Sequence, residues 1–230
     1  MATVKSLSQL SEELLLHVKT KVDTNLEEMV LKNVSIMQLQ NELKTDDAKN
    51  CFWINIYNAY FQLLIAKYKG KRKGLFGKKE IIIAQTRFSL DDIEHGILRK
   101  YTWKWSFGYF PDPFISILTR NLAVEKTDFR IHFALNCGAK SCPPIAFYTL
   151  KNIDKQLNEA KFSFLISETT INNQSKTINT SRLLHWYRGD FGGAKGIKKM
   201  ISEVFESDLT KYKLVYNTYN WETHLDNYTN

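Results

Sequence analysis

Residues 48–68 constrain the fold more than any other part of this 230-residue chain. Phe52, Trp53, Ile56, Tyr57, Tyr60, Leu63, Leu64 and Ile65 nearly encircle a helix, so a helix here is predicted to be buried on most sides. Residues 45–47 supply its N-cap candidates. The pattern breaks only at Asn55, Asn58 and Gln62, three and four apart on one stripe. Buried amides need partners, since an unpaired buried polar group costs about 1–3 kcal/mol.

Other elements follow from periodicity and turn residues. Leu7, Leu10, Leu14, Val18, Val22, Leu26 and Met29 recur at helical steps, with a break expected near Ser11. Residues 34–43 read as a second, shorter helix. Residues 80–85 are strand-like, and a short helix follows from Ser89 to about Arg99, with Ser89 and Asp92 spaced as a capping box. The aromatic stretch 101–114 contains Pro111 and Pro113 and is expected to be irregular. Residues 130–136 read as a buried strand, 152–166 as a helix, and 170–179 as a hairpin. Residues 194–205 form a further helix and 213–219 a closing strand. The sum is α+β, a predominantly helical single domain around a small β-sheet. An N-terminal helical segment (1–45) packs on the remainder (46–230).

The net charge of +8 is local. Residues 67–79 hold seven positive charges and no negative one, and the rest of the chain is nearly neutral. Lys71, Arg72 and Lys73 form an anion-binding candidate, with Leu75 and Phe76 placed to enter lipid. The loop reads either as a solvated surface loop or as a weak contact for an anionic membrane surface. A nucleic-acid binder would spread its basic residues over a face. No apolar run reaches the roughly 20 residues of a membrane-spanning helix. Three cysteines, an odd and sparse count, do not form a disulfide framework, and the expected location is the cytoplasm.

The chemistry concentrates in two stretches. His95 sits between Asp91 and Arg99 on one helical face. His132, Cys137 and Cys142 follow one another at intervals of five. On a strand, alternation would put His132 and Cys137 on opposite faces, disfavouring that pair. Cys142, beyond a glycine turn and followed by Pro143 and Pro144, can turn toward either histidine. A nucleophilic thiol needs a lowered pKa, which a nearby imidazole supplies.

The strings CFWINIYNAY, FSLDDIEHGILR, RIHFALNCGAKSCPP, HWYRGDFG and YNWE resemble a family known as domain of unknown function 547, over roughly residues 47–221. The matching positions are Trp53, Asn55, Tyr57 and Asn58; Glu94, His95 and Arg99; and His132, Cys137, Gly138, Ser141, Cys142, Pro143 and Pro144. Cys51, Phe129 and Asn220 depart from the family's usual Ala, Pro and Asp. The family name implies no established biochemical function.

Three readings compete for this set. In the first, Cys142 is a thiol nucleophile, His95 or His132 the base, and Glu94 or Asn58 the group that orients the imidazole, for hydrolysis or acyl transfer. Asn55, Arg99, Cys137 and Ser141 support that polar site. In the second, the same groups form a structural network in a non-catalytic interaction or scaffold module. In the third, His95, His132, Cys137 and Cys142 bind a metal, although their spacing fits no short knuckle. No cofactor is expected, and the partner is an unidentified small molecule or protein.

Overall fold

The computed structural model describes residues 5–229, so residues 1–4 of the expected N-terminal segment and residue 230 lie outside the described residues. Three helices open the chain: α1 (Leu7–Thr20), α2 (Asn25–Asn33) and α3 (Ile36–Glu42). Ser6 caps α1 through a capping box with Gln9. The break expected near Ser11 falls instead after Thr20. Ser11 donates to the Ser8 carbonyl at 2.7 Å within the helix, whereas Lys21 takes the left-handed conformation (φ 57°) and ends it. Val22, Leu26 and Met29 are consequently exposed rather than in the core.

α1 packs along α4 (Asp46–Lys67), the centre of the molecule, and α2 packs on α1 and on the first strand that follows α4. Thr45 Oγ1 accepts from Ala48 N at 3.2 Å, and Asp46 and Asp47 sit in the first turn, where the helix dipole favours negative charge. Phe52, Trp53, Ile54, Ile56 and Phe61 are fully buried. The amide stripe finds its partners in three separate loops. Asn55 pairs with both backbone groups of Tyr148 (2.7 and 3.1 Å), Asn58 with Ala134 O (2.9 Å) and Asn136 N (3.0 Å), and Gln62 with Leu225 O (3.1 Å).

The strands divide between two small sheets. β1 (Ile81–Ile83) and β2 (Thr86–Phe88) form an antiparallel hairpin. A π-helix (Asp92–Leu98) follows, entered by the expected capping box: Ser89 N donates to Asp92 Oδ2 at 2.8 Å and Asp92 N to Ser89 Oγ at 3.0 Å. The 101–114 stretch is irregular, as expected, and leads to α5 (Ile117–Leu122).

The strand expected at 130–136 is instead a 3₁₀ helix (Phe129–Phe133). Asp128 caps it by accepting from Arg130 N at 2.9 Å. Asn58 occupies the carbonyl of Ala134 and the N–H of Asn136, groups that a neighbouring strand would otherwise bond. The face-alternation argument against a His132–Cys137 pairing therefore loses its basis.

Beyond it, α6 (Ile153–Glu168) leads to the second sheet. β3 (Thr170–Asn172) and β4 (Thr177–Thr180) form the expected hairpin, and β5 (Lys213–Tyr216) runs parallel to β4. α7 (Leu183–Trp186) and α8 (Gly193–Val204) lie between β4 and β5 in sequence. A second core forms here around Phe133, Phe164, Leu184, Ile197 and Ile201. After β5 the chain returns to residues 137–145, where His224 N donates to Gly138 O at 2.9 Å. Among the described residues, no helix is long and apolar enough to cross a membrane.

Candidate functional site

The π-helix, the 3₁₀ helix, the loop after it, α7 and the returning C-terminal stretch surround a cavity of about 840 Å³. Cys137, Cys142, His95, His132 and Glu94 all line it. Tyr57 comes from α4, while Trp105, Phe107, Trp186 and Trp221 supply apolar wall. Gly74 and Gly77 of the basic loop border the same space.

The two thiols form a unit. Cys142 Sγ accepts from the backbone N–H of Cys137 at 3.2 Å and lies 3.1 Å from Tyr219 Oη. Cys137 Sγ is 3.7 Å from the same hydroxyl. The Cys137 thiol, the Tyr219 hydroxyl and the backbone N–H groups outweigh burial and pull the Cys142 thiol down to about 6. Cys137 moves the opposite way, because it faces the Cys142 charge and is itself buried. Each shift favours placing a negative charge of this pair on Cys142 rather than on Cys137. Tyr219, raised chiefly by burial, keeps its proton and donates it.

The imidazoles belong to a second, charged network. Arg99 is fully buried; its Nε donates to Asp190 Oδ2 at 2.6 Å and its Nη2 to Asp190 Oδ1 at 3.2 Å. His132 Nε2 lies 2.7 Å from Asp190 Oδ2. Burial raises Asp190, but His132 and Arg99 outweigh it and hold the carboxyl below its usual value. An ionised carboxylate only accepts, so His132 carries its proton on Nε2 and presents a lone pair at Nδ1. Among the described residues Nδ1 has no hydrogen-bond partner. The His132 ring stacks on Tyr187 at 3.9 Å, which fixes its plane.

His95 has the opposite tautomer. Arg99 Nη1 lies 2.8 Å from His95 Nδ1, and a guanidinium only donates, so the His95 proton is on Nε2. His95 offers a donor to the cavity rather than a base. Burial lowers both imidazoles from their ordinary value, keeping them neutral at pH 7. Glu94 is also buried, yet His95, Tyr187, Arg99 and His132 hold it below the usual carboxylate value. Tyr187 Oη donates to its Oε1 at 2.7 Å and Tyr57 Oη to its Oε2 at 3.1 Å.

The structure thus brings Cys142, Cys137, His95, His132, Glu94 and Arg99 to one place. It separates others from that role. Asn58 and Asn55 have both ends of their amides engaged by loop backbone, so neither has an imidazole as partner. Ser141 Oγ accepts from Asn220 N at 2.9 Å and pins the C-terminal stretch. The four-ligand metal reading finds no support. His95 Nδ1 and His132 Nε2 are held by Arg99 and Asp190, and these four residues form no cluster of convergent ligand atoms among the described residues.

The basic loop is corrected in part. Leu75 is buried and Phe76 stacks on Phe61 at 5.9 Å, so neither is free to enter lipid. Arg72 donates to the carbonyls of Trp221 (2.7 Å) and Gly138, tying the loop to the cavity rim. Gly138 needs its left-handed φ of 71° there, and a side chain would strike Phe61. Lys71 and Lys73 are exposed.

Sequence reasoning misses Asp190, Tyr187 and Tyr219. Asp190 stands in the Asp-Phe-Gly triplet, which resembles a kinase motif without its partners. Its environment is enforced by Gly108 (φ 92°), because a side chain at 108 would collide with Asp190.

A family model described as "Protein of unknown function, DUF547" matches residues 41–165. No curated protein and no solved structure matches the chain. The matched segment covers more than half the sequence and contains α4, the π-helix, the 3₁₀ helix and both cavity thiols. The chain is therefore a member of the DUF547 family.

Proposed function

We propose that the protein is a thiol-dependent hydrolase or acyl transferase, with Cys142 as nucleophile and the His132–Asp190 pair as base. One observation carries this reading: a thiol held down to about 6 lines the same cavity as an imidazole whose free nitrogen is set by a buried carboxylate. Thiolate, oriented imidazole and orienting acid are the three roles of nucleophilic Cys–His catalysis.

In this reading the Cys142 thiolate attacks the carbonyl carbon of an ester, thioester or amide. A sulfur–acyl bond forms as the bond from the acyl carbon to the leaving group breaks, and the leaving group departs with that electron pair; its proton comes from the His132 imidazolium formed in the next step. His132 Nδ1 then takes a proton from water or an acceptor hydroxyl, whose oxygen attacks the acyl carbon and releases Cys142. His95, holding its proton on Nε2, is the donor available to the developing oxyanion. The aromatic wall of Trp105, Phe107, Trp186 and Trp221 favours an apolar acyl group over a charged one.

The test is trapping. Incubation with a panel of acyl thioesters, followed by intact and peptide mass spectrometry, should show one acyl addition on Cys142, accumulating in His132→Gln as deacylation slows. Absence of any adduct, or an adduct that persists in Cys142→Ala, overturns the assignment. The scaffold reading has its own support, since Arg99 and Asp190 are almost fully buried like a structural ion pair. It predicts no adduct at all.

A further inference from the structure

The N-terminal helix pair, which lies outside the family-matched segment, contains a side-chain cluster unconnected with the cavity. Glu13 and His17 stand one turn apart on α1, and Glu27 meets them from α2. One ligand atom from each lies within 4.8 Å of the others.

Glu27 is the anomaly. α2 leaves Leu26 and Met29 exposed (63% and 54%) and buries this carboxylate instead, at 3%. A helix that shows leucine to water and buries glutamate needs a compensating partner for the charge. The protein supplies only part of one. His17 Nδ1 lies 3.3 Å from Glu27 Oε1, but outside hydrogen-bond geometry, and Glu27 Oε2 and His17 Nδ1 are both buried without a hydrogen-bond partner among the described residues. Orphaned buried polar atoms are rare, and two that converge call for an explanation.

We propose that Glu13, His17 and Glu27 form a zinc-class divalent metal site that ties α1 to α2. One imidazole nitrogen and two carboxylates match the donor preference of zinc, with the remaining position left to water. Zinc bonds to nitrogen and oxygen are about 2.0–2.2 Å long, so the three groups must draw in by roughly an ångström. Glu13 has that freedom. Its partner among the described residues is Lys5, an exposed ammonium at 2.6 Å, and such surface pairs are weak. The metal would replace Lys5 at Glu13 and give Glu27 and His17 the cation they lack.

The test uses the full chain, freed of metal with a chelator, in the wild type and in a Cys137→Ser/Cys142→Ser background that removes the cavity thiols. Zinc at a hundredfold excess over Kd should raise the melting temperature by roughly 5–10 °C in both. Bound cobalt should show ligand-field bands without thiolate-to-metal charge transfer. His17→Asn and Glu27→Gln should weaken binding at least tenfold to a hundredfold. Their metal-free melting temperatures report folding separately, and Glu27→Gln, which removes the orphaned charge, should melt no lower than the wild type. No zinc-dependent rise, no bound metal, or binding that survives both variants but vanishes with the cysteines overturns the proposal.

Discussion

Removing one hydroxyl, in Tyr219→Phe, tests how Cys142 is activated. Tyr219 Oη lies 3.1 Å from Cys142 Sγ in a buried setting. A hydrogen bond to a charged group is worth about 1.5–3 kcal/mol, and one pKa unit is about 1.4 kcal/mol. Losing it should raise the thiol from about 6 by roughly 1–2 units. The assay is the iodoacetamide alkylation rate of Cys142 against pH, read by peptide mass. The choice of pH matters. At pH 7 the wild-type site holds about 30 times more thiolate than a free cysteine of pKa ~8.5, but its lower basicity costs roughly tenfold in nucleophilicity. Only a few-fold advantage remains there. At pH 6 the thiolate excess is about 160-fold, and a net advantage of roughly tenfold survives. The wild-type profile should therefore rise with a midpoint near 6, and that of Tyr219→Phe near 7–8. Identical midpoints in the two proteins, or a wild-type midpoint near 8.5, would refute the argument.

Two further outcomes follow from the buried amides and imidazoles. Asn58→Ala orphans the Ala134 carbonyl and the Asn136 N–H, and should destabilise by about 2–4 kcal/mol, seen as a lower denaturation midpoint with an unchanged slope. His132 is held below its ordinary imidazole value by burial, so below about pH 6.5 the unfolded chain binds the proton more readily than the folded one. Stability should fall as pH drops through that range, and His132→Gln should flatten the fall when denaturant midpoints are compared between pH 7.5 and 5.

Much of this was legible because it depends on local pattern. An all-round apolar helix with one amide stripe dictates a buried α4 whose polar groups clamp loops, and Asn55, Asn58 and Gln62 do so. Histidine and cysteine in two short motifs marked the cavity's chemistry. What failed depended on distant partners. Residues 130–136 carry a strand-like run of apolar side chains, but Asn58, more than 70 positions away, takes the backbone groups that a sheet would need. Asp190 reaches Arg99 across 91 positions and His132 across 58, so no spacing rule connects them. The roles of the two histidines were open for the same reason, since each tautomer is set by the group facing its second nitrogen. Leu75 and Phe76 were misread because seven flanking charges suggest full exposure, whereas the core accepts both side chains.

The return of the C-terminal stretch to the cysteine loop has a consequence for assembly during synthesis. Cys137, Cys142, His95 and His132 leave the ribosome well before Tyr187, Asp190 and Tyr219. Until the last of these docks, Cys142 lacks the hydroxyl that acidifies it, and His132 lacks the carboxylate that sets its proton. A nascent or truncated chain ending at residue 165 would keep Cys137 beside Cys142 but lack the later groups, so its sulfhydryl would be less acidic than that of the full chain until the closing strand and tail arrive.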